Sequence, residues 1–205
     1  MLPPYTIKKA EIRMVFSDCI VTERLILRPF VDGDEEDVFA LMSDDYICKM
    51  AGIKPYKTVE EAENFTRLWR NEAYAITERD SDKVIGIVQT PSYPWIGFAG
   101  LGYWLAEEYR GRGYMTEAIE AVKKELFRTW WCNEIVLFVY EDNPASRNLA
   151  IKCGFHLDCK RYQEIAYSEY GRWVSKECFE MTKGDYEWER RGEDFYTTAK
   201  KKSAA

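Results

Sequence analysis

The stretch Leu101-Gly102-Tyr103-Trp104-Leu105, followed by Ala106-Glu107-Glu108-Tyr109 and then Arg110-Gly111-Arg112-Gly113-Tyr114-Met115-Thr116-Glu117-Ala118, decides how this chain is read. Its first part is apolar and strand-like. From Thr116 to Arg128, Ala118, Ile119, Val122, Leu126 and Phe127 recur at helical spacing. A strand, a glycine-rich turn and a helix start aim several backbone N–H groups and a positive dipole end at one point. Such a point binds an anion, most often a phosphate. Arg110 and Arg112 add charge and forked donors for the same purpose.

Two familiar phosphate motifs do not fit. The ATP-type loop needs a Lys-Ser/Thr pair after its last glycine, whereas Gly113 is followed by Tyr114 and Met115. The dinucleotide fingerprint finds two glycines in Gly111 and Gly113 but Thr116 at the third position. A second constellation follows the apolar run Ile135–Tyr140: Asn143-Pro144-Ala145-Ser146, then Leu149, then Gly154-Phe155. Asn143 suits an N-cap, Pro144 the first helical position and Gly154 the residue that closes the helix. A polar pair at the end of one strand and a phosphate turn at the end of its neighbour would make a cleft for an elongated ligand with a diphosphate in its middle.

Around these lie the other expected elements. Glu23–Pro29 alternates as a half-buried strand, and Asp32–Asp34 offers a turn and N-cap before a helix with Val38, Phe39, Leu41 and Met42 on one face. Thr58-Val59-Glu60-Glu61 resembles a capping box ahead of Ala62, Phe65, Leu68 and Trp69. Tyr74–Thr77 and Val84–Gln89 read as two strands. Ile135–Tyr140 reads as a strand at the centre of a sheet covered on both faces. Thr90–Gly100 reads as a loop or irregular strand lining a cavity, or equally as a packed surface loop. Further strands are expected around Phe155–Ile165 and Trp173–Met181, with Gly171 in the turn between them. Neither repeat nor linker is visible, which predicts one mixed α/β domain over residues 1–190 and a flexible tail over 191–205.

At 205 residues, 46% hydrophobic and 15% aromatic, the chain is long and apolar enough for a real core. A net charge of −6 disfavours general nucleic-acid binding and is compatible with a cationic amine as substrate. No signal-peptide pattern and no apolar run long enough to span a bilayer is present, which predicts a cytoplasmic protein without a membrane partner. The six cysteines form no C-x-x-C pair, and free thiols are expected. Cys153, His156 and Cys159 are evenly spaced, yet no fourth ligand accompanies them, so packing is expected there and no metal. His156 is the sole histidine, which leaves no other partner for a Ser-His or Cys-His pair.

Three segments carry a resemblance to the GNAT superfamily of acyl-CoA-dependent N-acetyltransferases: Thr22–Phe30 (TERLILRPF), Gly102–Ala118, and Asn143–Ser146 with the downstream Cys153-Gly154-Phe155. Their order and spacing resemble the family from about Val21 to Tyr186, most nearly the branch that acetylates ribosomal-protein N-termini. The resemblance implies an α+β fold: a mixed, mostly antiparallel central sheet with two parallel strands that splay apart, flanked by about four helices. It implies acetyl-CoA as co-substrate and an amine acceptor, either a peptide N-terminus or a small molecule, with the protein a monomer or homodimer.

The family's phosphate motif falls on Arg110, Gly113 and Met115, so the backbone from Gly111 through Arg112, Gly113 and Tyr114 to Met115 would hold the pyrophosphate. Met115 replaces the small residue usual there and would narrow the pocket. The exposed edge at Tyr103, Trp104 and Leu105 would carry the pantetheine arm, with a backbone N–H polarising the thioester carbonyl. Many relatives have a tyrosine acid where this chain has Ala150. The implied substitute is Ser146, contacting the thiol, with Asn143 bonding the arm or a water; the ordinary alternative for Ser146 is a helix residue bonding its own backbone. Glu164 lies near the acid of the ribosomal branch and is the expected base, with Glu108 or a chain of waters as alternatives. A non-catalytic acyl-CoA-binding regulator is the competing reading.

Overall fold

The structure is a computed structural model describing residues 19–129, 131–158 and 164–191, side chains excepted at 164–166 and 191. Two sheets meet along one run of chain. The first is antiparallel throughout and is ordered β1 (Ile20–Val21), β2 (Leu25–Arg28), β3 (Ala73–Glu78), β4 (Gly86–Gln89), β7 (Gly102–Leu105). The second is ordered β10 (Glu164–Tyr167), β11 (Trp173–Thr182), β8 (Glu134–Tyr140), β6 (Phe98–Gly100), β5 (Ser92–Tyr93), with β9 (His156–Leu157) beside β11. Among the described residues only β6 and β8 pair in parallel.

β6 and β7 are nearly continuous, separated by Leu101 alone. The Leu101 N–H still donates to the Val136 carbonyl at 2.8 Å, and from Gly102 onward the chain pairs with β4 instead. This is the expected splay, and it explains one departure. Phe138 was to be covered on both faces, yet it is 56% exposed because β6 stops pairing at Val136 and leaves the strand beyond it uncovered.

Alternation along the first sheet sorts its residues onto two cores. Ala73, Ala75 and Ile87 pack under α1 (Glu35–Ser43), α2 (Asp45–Ala51) and α3 (Val59–Trp69). Tyr74, Ile76 and Val88 face the other core, with residues from α4 (Tyr114–Arg128) and α5 (Pro144–Lys152). A sixth helix, α6 (Lys183–Arg191), stacks Tyr186 on Phe127 of α4 with ring centroids 4.9 Å apart.

Six α-helices among the described residues exceed the four expected. α2 has local signals of its own: Asp44 accepts the Ile47 N–H at 2.7 Å as N-cap, and Gly52 ends the helix at φ 72°. The Thr58–Glu61 box forms, with Glu61 accepting the Thr58 N–H at 3.1 Å, but Leu68 is 74% exposed and does not join the buried face. Asp34 does not cap α1 with its side chain. Its carboxylate takes both guanidinium nitrogens of Arg28, at 2.7 and 2.9 Å, and the Val31 N–H, because a buried carboxylate gains more from a charged fork than from a helix end. Thr90–Gly100 is a short hairpin, β5–β6, with Trp95 and Ile96 exposed at its tip.

Gly52 is required for two reasons. Its φ is left-handed, and a Cβ there would lie 1.8 Å from Tyr140 Oη, whose hydroxyl donates to the Ala51 carbonyl. Gly52→Ala should therefore destabilise the fold by at least about 2 kcal/mol, read as a lowered denaturation midpoint. A variant as stable as the parent would show that α2 can shift freely against β8.

Candidate active site

Where β7 leaves β8, a cleft of about 580 Å³ opens. One end is the glycine turn. Gly111 and Gly113 have φ of 74° and 82°, and a Cβ on Gly111 would meet nothing within 4 Å, so the backbone there is open to an approaching group. α4 starts at Tyr114 with Gly113 as N-cap and no capping side chain. Its first N–H groups thus lack intrahelical partners and face the cleft with the positive end of the helix dipole. Met115 lines the cleft wall, but it is 7% exposed and belongs to the core beneath the turn.

A side-chain cluster from the segment between β1 and β2 holds this turn. Arg24 gives Nε and Nη2 to Glu117 Oε2, each at 2.7 Å, and Nη1 to the Arg112 carbonyl at 2.8 Å. The other Glu117 oxygen accepts the Thr22 hydroxyl at 2.6 Å and the Arg24 N–H at 2.8 Å. Burial pushes the Glu117 carboxyl up, but the bonds from Thr22 and from the Arg24 backbone and guanidinium outweigh it and hold the group below its ordinary value. The Arg24 guanidinium also lies over the Tyr114 ring, 4.6 Å from its centroid.

The two arginines of the turn have intramolecular work. Arg110 Nε donates to the Leu105 carbonyl at 3.0 Å, and its guanidinium stacks on Tyr46 of α2. Arg112 lies 5.6 Å over Tyr109. Arg110 thereby ties together the end of β7, the turn and α2.

Along β7 the direction of the backbone groups follows from their neighbours. Leu101 donates toward β8 and Ala106 donates to Ile85 beside β4. By alternation the N–H groups of Tyr103 and Leu105 face the cleft, whereas that of Trp104 faces β4. The Trp104 ring packs edge-on to Phe65 of α3, 6.4 Å away. Tyr103 sends its hydroxyl across to α5, 2.7 Å from Ser146 Oγ. Burial pushes that phenol up to about 12, against a smaller lowering by the Ser146 bond. Asn143 accepts the Ser146 N–H at 3.0 Å as N-cap, so its carboxamide oxygen holds the helix start. Ala150 is buried one turn beyond Ser146.

Of the expected acids, Glu108 is exposed and 3.7 Å from Lys83. Glu164 sits on β10 opposite Lys176, and its side chain lies outside the described residues. Cys153 is fully buried, with burial pushing its thiol up to about 12, and His156 is exposed on β9. Cys159 lies outside the described residues. No group of three or more His, Cys, Asp or Glu that could hold a metal occurs among the described residues, and no described helix is long and apolar enough to cross a membrane. Sequence reasoning missed the far wall of the cleft: Tyr46 and Met50 on α2, and Phe138, Tyr140 and Lys176 on β8 and β11. The Asp44 cap and Gly52 could have revealed the first pair.

Residues 24–156 match the family described as acetyltransferase (GNAT) domain. The N-acetyltransferase YoaA of Bacillus subtilis, itself uncharacterised, is 30% identical over 150 residues, 65% of this chain and 80% of that protein. The ribosomal-protein-serine acetyltransferase of Escherichia coli is 29% identical over 91 residues, 43% of this chain and 51% of its own length. Among solved structures, the spermidine N-acetyltransferase of Vibrio cholerae in complex with CoA and spermine aligns with a TM-score of 0.68 at 22% identity, covering 80% of this chain and 99% of the other.

The Glu117 cluster makes a pH prediction. A carboxyl held lower in the folded state than in the unfolded one contributes its full stability above its ordinary value, near ~4.3, and loses it as pH falls through the folded value. Glu117→Gln should lower the melting temperature at neutral pH, and the gap to the parent should close progressively below about pH 4. A gap that is constant down to pH 2 would mean that the Glu117 charge contributes nothing.

Proposed function

The chain belongs to the GNAT acetyltransferase family and is an acetyl-CoA-dependent N-acetyltransferase, and on that premise we propose that its acceptor is a primary amine, a protein N-terminus or a small amine, which attacks the thioester directly in a ternary complex. One observation supports this most: the uncapped start of α4, the edge of β7 turned away from β4 and unpaired among the described residues, and the Ser146 hydroxyl line a single cleft. The first suits a pyrophosphate, the second an extended amide-bearing arm, and the third a sulfur beyond it.

In this reading the backbone N–H groups from Gly111 to Met115 hold the pyrophosphate, with the open surface at Gly111 allowing close approach. The N–H groups of Tyr103 and Leu105 hydrogen-bond the pantetheine arm in the manner of an added strand, and one of them polarises the acyl carbonyl. Acetyl-CoA supplies the activated acetyl group. Direct attack requires no nucleophile from the protein, only removal of the ammonium proton and stabilisation of the departing sulfur. Ser146, which lines the cleft, is proposed for the latter, and Glu164, by its resemblance to the ribosomal branch, for the former. The E. coli relative is named a ribosomal-protein-serine acetyltransferase, which supports testing a protein acceptor beside small amines.

Incubation with acetyl-CoA and a panel of amines and short peptides, followed by release of free thiol and by thermal shift, tests the reading. Amine-dependent thiol release is expected, together with a stabilisation of about 2.7 kcal/mol at CoA about 100 times its Kd. Stabilisation by CoA without thiol release from any amine would favour a non-catalytic acyl-CoA-binding regulator. Gly113→Val should weaken CoA binding at least about tenfold, since valine tolerates φ of 82° poorly; unchanged affinity would misplace the pyrophosphate. Ser146→Ala should reduce turnover more than affinity, and the reverse pattern would make the serine a binding residue only.

A further inference from the structure

Ser146 is not a free-standing hydroxyl. Its Oγ lies 2.7 Å from the Tyr103 phenol, whose oxygen is also 3.3 Å from the Ser146 carbonyl. The pair bridges β7 and α5 across the splay, and the Asn143 side chain fixes the serine backbone from the other side at 3.0 Å. A serine early in a helix ordinarily turns its hydrogen back to a carbonyl of the preceding turn. The phenol changes that choice.

Burial pushes the Tyr103 hydroxyl up to about 12, so it is protonated at any working pH and always has one hydrogen to give. Of the two oxygens within its reach, Oγ at 2.7 Å is nearer than the Ser146 carbonyl at 3.3 Å. A phenol donating to Oγ occupies a lone pair of the serine and leaves the serine's own hydrogen for a third partner. Both hydroxyls are half-enclosed at the cleft, where that partner would be the ligand.

We propose that Tyr103 is a positioning residue: its phenol donates to Ser146 Oγ and so directs the serine hydrogen into the cleft, onto the sulfur of bound CoA. The proposal rests on the acyl-CoA reading above. During transfer the amine nitrogen bonds to the acyl carbon, the carbon–sulfur bond breaks, and its electron pair stays on sulfur. The serine O–H hydrogen-bonds that thiolate, water protonates it to the free thiol, and the proton shed by the attacking nitrogen passes to the base or to water. No proton leaves Tyr103.

A hydrogen bond to the charged form favours it, so the device is readable without turnover. The thiolate of bound CoA can be titrated by ultraviolet absorbance in the parent, Tyr103→Phe, Ser146→Ala and the double variant, with CoA affinity measured at pH 6. Tyr103→Phe keeps the ring and its packing. It should lower the thiolate fraction at pH 7 about tenfold, as should Ser146→Ala, and the double variant should fall no further than Ser146→Ala alone. CoA affinity at pH 6 should stay within about twofold, and with a productive amine kcat should fall about tenfold at unchanged KM. Equal thiolate fractions in parent and Tyr103→Phe, or two losses that multiply in the double variant, would overturn the positioning role. If the titrations behave as expected and no amine releases thiol, the catalytic reading fails and the positioning role stands. Failure of the parent to bind CoA would overturn both.

Discussion

A β-strand has two hydrogen-bonding edges, and the run from Phe98 to Leu105 gives them to different neighbours. Its first half pairs with β8, and its second half pairs with β4 and leaves the opposite edge open. Exposed strand edges are ordinarily a hazard that proteins cover. Here the edge opens inward to a cleft, with α5 and α2 on either side, so it is accessible to an extended ligand and poorly accessible to another sheet. The orientation of Tyr103, the exposure of Phe138 and the volume of the cleft all descend from that change of partner between Leu101 and Gly102.

The glycine turn supplies the other half of the site, and its geometry depends on groups distant in sequence. Left-handed glycines are permissive as well as permitted; alone they would leave the turn free to sample many conformations. Arg24 and Thr22, nearly a hundred residues upstream, bind Glu117 and the Arg112 carbonyl and reduce that freedom. Arg110 performs a similar service at the strand end through the Leu105 carbonyl. Charged groups that looked like ligands for an anion in the sequence thus have a structural share in shaping the backbone that faces it.

The parts of the fold legible in the sequence were those governed by local rules. The strand–turn–helix at 101–128, the Asn143-Pro144 helix start and the strands β2, β3, β4, β8 and β11 follow from periodicity, caps and turn residues and lie where expected. By contrast, β1 had no signal, and the strand expected at Phe155–Ile165 is two short ones, β9 and β10. Less legible were features set by tertiary partners. Asp34 looked like a cap and became the partner of Arg28; Leu68 had helical spacing but lies outside the packed face. α2 carried a cap and a closing glycine, yet it is short, and its place on the cleft depends on Tyr140 from a strand almost ninety residues away. The Tyr103–Ser146 contact joins residues 43 apart and leaves no trace in spacing. The far wall of the cleft, which faces the acceptor end, was for the same reason almost invisible.

The bonding of Arg24 and Thr22 to Glu117 also bears on when conformational entropy is lost. A phosphate loop that orders only around its ligand loses that entropy at binding and weakens affinity accordingly. In this protein the loop is tied to the segment leading into β2 through hydrogen bonds made within the chain itself, so the loss occurs on folding. The anion meets a cradle already shaped, and the free energy of its contacts remains available for holding the rest of the ligand against the open strand.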